Sequence, residues 1–132
     1  MGEMRSRHIS VVIPAAPSVV YEYASAPENL PAWAAGLASG VTRDGDSLIT
    51  QSPMGEVRVR FAPANAFGIL DHAVTLPDGT VVDNPLRVIA HPDGAEVVFT
   101  VRQRDLSDDA FDADCAAVQR DLETLRNAVI GR

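Results

Sequence analysis

Apolar and polar residues alternate along much of the chain before residue 105, which is typical of β-strands with one solvated face. The segment Glu56–Phe61 is the clearest case, because Val57, Val59 and Phe61 share one face while charged residues occupy the other. Turn sequences such as PDG and RDGD separate segments of this kind. We therefore expect about seven antiparallel strands in meander order, near residues 8–13, 39–43, 47–52, 56–62, 68–76, 80–90 and 95–104.

Three stretches predict helices instead. Pro17 opens a short one, since proline is favoured in the first helical turn. A second short helical piece begins at Pro27, where apolar residues recur at spacings of three and four. The longest helix is predicted to begin after the N-cap Ser107 and to stop at Gly131. Its predicted buried stripe consists of Phe111, Cys115, Val118, Leu122, Leu125 and Val129.

These elements predict an α+β fold in which the last helix lays its apolar stripe on the inner face of a curved antiparallel sheet. The chain has no internal repeat, no low-complexity stretch and no linker. We therefore expect one domain over residues 1–132.

Three segments also carry a family resemblance: VVIPAAPSVVYEYASAPENLPAWAAGL, GILDHAVTLPDGTVVDNPLRVI and AEVVFTVRQRDLSDDAFDADCAAVQRDLETL. With the order of strand, two short helices, six strands and long helix, the chain resembles the START/Bet v 1-like (SRPBCC) superfamily. Within it, the chain is similar to small bacterial polyketide cyclase/dehydrase-type proteins. The resemblance implies a helix-grip fold with a cavity for an apolar ligand. It names no reaction, since that superfamily includes cyclases, hydrolases, lipid carriers and stress proteins.

His72 is the leading candidate for chemistry. Alternation along the strand puts it on the same face as Leu70 and Val74, where a core residue is expected, and puts Asp71 on the other face. A neutral imidazole on a cavity wall can act as a general acid or base. The alternative is a core histidine that is hydrogen-bonded to a neighbouring strand.

Asn84 is the second catalytic candidate. Pro85 lacks an N–H group, so we expect a bulge or bend at this point of the strand. Simple alternation turns Asn84 inward, whereas a bulge would change the register and bring Asp83 to the cavity instead. The inward residue would orient a ligand oxygen. The alternative is that Asn84 only satisfies the bent backbone.

The ligand-binding wall is predicted from the inward apolar positions. Trp33 could form a lid or an aromatic wall, although a tryptophan on an apolar helical face is usually core. Cys115 is read as a small core residue, because its surroundings are apolar and acidic. Seven aromatic residues in the chain are few for filling the space between a curved sheet and a helix, which favours a cavity. The predicted binding residues are Trp33, Leu70, Val74, Phe99, Phe111 and Cys115.

Composition and net charge limit the classes of partner that we expect for this protein. The net charge of -7 argues against nucleic acid and against an anionic membrane surface. The three histidines and one cysteine show no metal-ligand spacing, and no glycine-rich phosphate loop is present, so we expect no metal and no cofactor. A lone cysteine and an N-terminus without a signal-peptide core favour the cytoplasm.

Three functions stay open. The first is binding of a small hydrophobic or aromatic metabolite in an internal cavity. The second is a metal-free enzyme of the cyclase or dehydratase type, a lyase or isomerase, with His72 as general acid or base and Asn84 holding a carbonyl oxygen. The third is a protein-interaction module acting through the outer face of the sheet. A monomer and a homodimer are both compatible with the sequence.

Overall fold

A computed structural model describes residues 3–131; Met1, Gly2 and Arg132, which the single-domain prediction includes, lie outside the described residues. Eight strands and three α-helices form in this part of the chain, and two short 3₁₀ turns flank the second helix. The strands are β1 (Ser6–Ile13), β2 (Thr42–Asp44), β3 (Ser47–Ser52), β4 (Gly55–Phe61), β5 (His72–Thr75), β6 (Val81–Asn84), β7 (Leu86–His91) and β8 (Gly94–Arg102). The helices are α1 (Pro17–Ser25), α2 (Leu30–Trp33) and α3 (Asp108–Ile130).

The strands form two antiparallel sheets, one in the order β1-β8-β7 and the other in the order β2-β3-β4-β5-β6. The predicted α+β architecture with a long last helix is confirmed. Eight strands replace the expected seven because the predicted strand over 80–90 divides at Pro85. Proline cannot donate to a ladder, so the chain leaves the larger sheet there and continues in the smaller one.

The segment before His72 makes the reverse crossing. The prediction of a strand over 68–76 was too long, since only His72–Thr75 pairs regularly with β4 and β6. The backbone before it bonds to β7 instead: Leu70 N–H donates to Leu86 O over 2.8 Å, and Val88 N–H donates to Gly68 O over the same distance. His72 is therefore the first residue of the larger sheet after the chain has left the smaller one.

Gly68 makes this crossing possible. Its φ is +72°, a left-handed conformation that L side chains rarely adopt. A Cβ atom at this position would also collide with the backbone carbonyl oxygen of Val88. The close approach of Gly68 to β7 thus requires a residue without a side chain.

The long helix α3 begins as the sequence predicts. The Ser107 hydroxyl accepts a hydrogen bond from Ala110 N–H at 3.1 Å, and acidic residues occupy the first turn, where they suit the helix dipole. The helix stops before Gly131. It packs mainly against β1, β8 and α2. This arrangement leaves a space between α3 and the five-stranded sheet.

Candidate functional site

A cavity of about 200 Å³ occupies the space between α3 and the five-stranded sheet. All but two of its lining residues are apolar or glycine, and the two exceptions are His72 and Asp121. The helical segments after β1 close one side, and β4, β5 and β8 form the floor. The lining residues are Leu30, Trp33, Ala34, Gly36, Leu37, Val57, Val59, Phe61, His72, Val74, Phe99, Val118 and Asp121.

His72 lies on the inner face of the larger sheet, as its place in the alternation predicts. It pairs with Phe61 of β4 and with Asn84 of β6, so the three side chains lie side by side on one face. The imidazole ring is 4.7 Å from the Phe61 ring and 5.7 Å from the Phe99 ring, centroid to centroid. The ring is therefore part of an aromatic section of the cavity wall.

The hydrogen bond of His72 fixes its tautomer. Nδ1 lies 3.0 Å from the carbonyl oxygen of Leu70, which can only accept, so Nδ1 carries the proton when the ring is neutral. Burial lowers the pKa of His72 below its ordinary value, which favours that neutral form. In residues 3–131, Nε2 has no hydrogen-bond partner, and it is not among the buried atoms that lack one. Nε2 thus offers an accessible lone pair.

Asp71 belongs to the opposite face and to a structural role. Its carboxylate accepts hydrogen bonds from Arg87 Nε at 2.8 Å and Arg87 Nη2 at 2.7 Å, and from Leu86 N–H at 2.9 Å. These bonds, foremost those from Arg87, lower the pKa of Asp71. The adjacent Asp71 and His72 side chains do not form a catalytic pair. Asp71 instead joins the two sheets where the chain crosses between them.

Asn84 faces inward and Asp83 outward, because alternation continues through Pro85 to the buried Leu86. No register change occurs at the bend. Asn84 is beside His72 but is not among the residues that line the cavity. It borders two other depressions, one that it shares with Asp71 and Pro85 and one between β6, the end of β8 and α3.

Trp33 is the largest side chain on the helical side of the cavity. It is 5% exposed, and its position combines the two roles considered for it, as core residue and as cavity wall. In the part of the chain that the structure describes, its Nε1 is the single buried side-chain nitrogen or oxygen that lacks a hydrogen-bond partner. Because this atom has no accessible surface, the ring meets a ligand through its carbon face.

The structure does not bring three of the predicted binding residues to the cavity. Leu70 is 2% exposed and packs in the main core, where the crossing segment meets β7. Phe111 and Cys115 belong to a second core cluster with Val101, one to two turns before the cavity along α3. The guanidinium groups of Arg5 and Arg7 cover the Phe111 ring. Trp33, Val74 and Phe99 do line the cavity.

Asp121 is the polar wall residue that the sequence reasoning missed. It lies on α3 next to the predicted apolar stripe, three residues after Val118, and such a border position is usually solvated. Its Oδ1 accepts a hydrogen bond from Ala35 N–H at 3.3 Å, and Oδ2 has no partner in the described part of the chain. Partial burial raises the pKa of Asp121, which the bond from Ala35 only partly offsets. Asp121 thus places at the cavity a carboxylate that accepts one hydrogen bond from the described part of the protein.

A larger depression of about 760 Å³ lies on the outside, between α1, the loop before Gly68 and β7. Its wall includes the exposed Phe67 and Ile89. It contains none of the predicted site residues. We therefore take the smaller, apolar cavity beside His72 as the candidate functional site.

In residues 3–131, no three His, Cys, Asp or Glu side chains come together in a way that could hold a metal ion. No described helix combines the length and the hydropathy that a membrane span requires.

Comparison with models of protein families and with curated sequences yields no match. Solved structures do match. Ara h 8.0201, a Bet v 1 homologue, has a TM-score of 0.70 at 12% identity, over 98% of this chain and 100% of that one. SA2116 from Staphylococcus aureus, a protein of unknown function, has a TM-score of 0.73 at 13% identity, over 98% of this chain and 95% of that one. The Aha1 dimer from Colwellia psychrerythraea has a TM-score of 0.73 at 16% identity, over 96% of each chain.

Identities this low show the fold alone. The matches confirm the Bet v 1-like, helix-grip fold that the sequence predicts. A fold shared among proteins of different function does not name a ligand or a reaction.

Proposed function

We propose that this protein binds a small hydrophobic or aromatic molecule in the cavity between α3 and the five-stranded sheet. The observation that carries the proposal is the cavity itself, about 200 Å³ of apolar-walled space between the last helix and the sheet. Interiors normally pack to crystal density, and a space of this size sacrifices dispersion contacts of its lining. An apolar cavity of about 150 Å³ accommodates a benzene ring, so this one has room for one ring or a small fused pair.

A titration with indane tests the proposal, because indane is an uncharged fused-ring hydrocarbon of suitable size. Trp33 is the only tryptophan of the chain and lines the cavity, so its fluorescence reports on occupancy. We expect a saturable change in emission. The absence of any saturable change, with indane also failing to raise the unfolding temperature, would refute binding at this site.

Val118→Phe is the variant for this experiment, since Val118 lines the cavity from α3 and the larger ring would occupy it. We expect indane affinity to fall by about tenfold or more. Ala116→Phe places the same ring on the exposed side of the same helix and serves as the matched control. Equal affinities of the two variants would show that indane binds elsewhere.

A second candidate function is catalysis of the polyketide cyclase type, a cyclisation or dehydration. The observation that favours it is the His72 tautomer, which leaves an accessible lone pair on Nε2 in an apolar wall. Such a nitrogen could take a proton from a carbon next to a carbonyl group. The pKa of His72, lowered by burial, keeps the ring in the basic form at neutral pH.

The enzymatic proposal predicts turnover of a short linear diketone that closes to a cyclohexenone with loss of water. His72→Gln should abolish turnover and leave indane binding within about twofold, because glutamine can still donate to Leu70 O. Turnover that survives in this variant, or its absence in the native protein, would leave binding as the function.

A further inference from the structure

We infer that the ligand of this cavity is an aromatic compound that donates a hydrogen bond and carries no negative charge. The inference rests on the proposed binding function and names the chemical class of ligand within it. It follows from the two polar groups of the wall, both of which accept hydrogen bonds. A hydroxyl group and a protonated amine share the required chemistry.

The first acceptor is Asp121. Its carboxylate receives one hydrogen bond, the 3.3 Å contact from Ala35 N–H, and its second oxygen has no partner in residues 3–131. An ionised carboxylate can accept about four hydrogen bonds. None of the salt bridges within the described residues includes it, and its second oxygen is not among the buried atoms that lack a partner, so that oxygen is accessible to a donor supplied by the ligand.

The second acceptor is His72. Because Leu70 O holds the Nδ1 proton, the nitrogen left for a ligand is Nε2, which can only accept in the neutral ring. The imidazole lies against the Phe61 and Phe99 rings, so a ligand donor that reaches Nε2 must be attached to a flat or compact apolar body.

The cavity wall offers few donors to a ligand that accepts hydrogen bonds. The one side-chain donor besides the histidine is Trp33 Nε1–H, which has no accessible surface. No arginine lines the cavity among the described residues, and the chain has no lysine. A carboxylate or phosphate ligand would therefore meet the Asp121 charge with no cation on the cavity wall, because Arg120, whose charge acts on Asp121, is exposed and does not line the cavity.

Five probes with one indane skeleton test the inference: indane, indanone, indanol, aminoindane and indane carboxylate. We expect indanol or aminoindane to bind about tenfold more tightly than both indane and indanone, because only these two donate. The carboxylate should bind most weakly. An amine preference identifies an ammonium ligand, and an indanol preference identifies a hydroxyl ligand.

Two variants locate the effect. Asp121→Asn should remove the advantage of aminoindane over indane, whereas Asp114→Asn, which removes an equal charge from the same helix outside the cavity, should keep it. His72→Phe should remove the indanol advantage while preserving an aromatic wall. Should His72→Phe fail to fold, the comparison of Asp121→Asn with Asp114→Asn still tests binding of the amine. The ratio of indanol to indanone affinity in the native protein then tests binding of the hydroxyl group.

The outcomes separate this inference from the proposed function. Tighter binding of indanone or of the carboxylate, or equal binding of all five probes, overturns the inference that the ligand donates a hydrogen bond. The proposed binding function is unaffected by that result, because indane still binds. An advantage of aminoindane that persists in Asp121→Asn also overturns it. Failure of all five probes to bind refutes the proposed function itself.

Discussion

A single histidine in an apolar wall makes the stability of this protein depend on pH. Burial lowers the pKa of His72 in the folded state, whereas the unfolded chain keeps a value near 6.5. As pH falls below 6.5, the unfolded state therefore takes up a proton more readily, and the free energy of unfolding decreases until the folded-state pKa is passed. Above that window the full stability is present.

Urea unfolding of the native protein and of His72→Gln measures this effect. Lowering the pH from neutral into the acid range should destabilise the native protein more than the variant, by about 1.4 kcal/mol for each unit of pKa difference. The comparison cancels the contributions of His8 and His91, which both proteins contain. Identical losses in the two proteins would contradict a neutral, buried imidazole.

The effect of Asp121 on the pH dependence of stability is opposite to that of His72. Its folded-state pKa is raised, so the folded protein holds this proton more tightly and loses stability as pH rises through that value. Asp121→Asn keeps an acceptor for Ala35 N–H and removes the charge. We expect the variant to be more stable at neutral pH, by less than about 1 kcal/mol because the side chain is partly solvated, with the difference vanishing in acid. A variant that is less stable at neutral pH would show that the charge is satisfied within the protein.

At the scale of elements, the sequence predicted strands and helices wherever one period dominated. Glu56–Phe61 alternates without interruption and forms β4, and the stripe from Phe111 to Val129 forms α3. The segments on either side of the sheet junction were predicted less well. Alternation specifies which face a residue occupies, but it does not specify which strand the backbone bonds to. The crossings at Gly68 and at Pro85 are set by partners that are distant in sequence.

The same distinction explains the site. An inward face is enough to place a residue on the cavity wall, as it does for His72, Val74, Trp33 and Phe99. Phe111 and Cys115 also face inward, yet they lie too early along α3 and pack beneath β1 and β8. Asp121 was missed because an acidic residue beside an apolar stripe is ordinarily solvated, and only the position of α2 and Ala35 brings it to the cavity.

The sheet junction has a test at Gly68. Gly68→Ala combines a left-handed backbone with a collision against Val88 O, so we expect it to lower the free energy of unfolding by about 3–5 kcal/mol. Gly79→Ala is the matched control, because Gly79 also has a positive φ but nothing within 4 Å of the added Cβ. Conformational strain alone should cost about 1–2 kcal/mol there. Equal losses in chemical denaturation would mean that the approach to β7 is not close in solution.

At the scale of the whole molecule, a side chain that fills the cavity should raise the stability of the protein and lower its affinity for a ligand. Adding a methylene group to a closely packed interior costs about 1–3 kcal/mol, whereas adding one where space exists gains contacts. Val118 of α3 borders the cavity, whereas Val20 of α1 is fully buried in the core. Substitution of each valine by leucine therefore adds a methylene group next to free space in one case and in a closely packed region in the other. We expect Val118→Leu to raise the free energy of unfolding by about 0.5–1 kcal/mol without ligand, and Val20→Leu to lower it.

The two variants should also respond differently to indane. Binding to the folded state alone adds about 2.7 kcal/mol at a ligand concentration one hundred times the Kd. Val20→Leu should retain this gain, because its cavity is unchanged. Val118→Leu should lose part of it, since its one added methylene group takes up part of the volume that the ligand would fill. If Val118→Leu were destabilised as much as Val20→Leu, the space between α3 and the five-stranded sheet would be filled in solution, and the binding function would have to lie elsewhere.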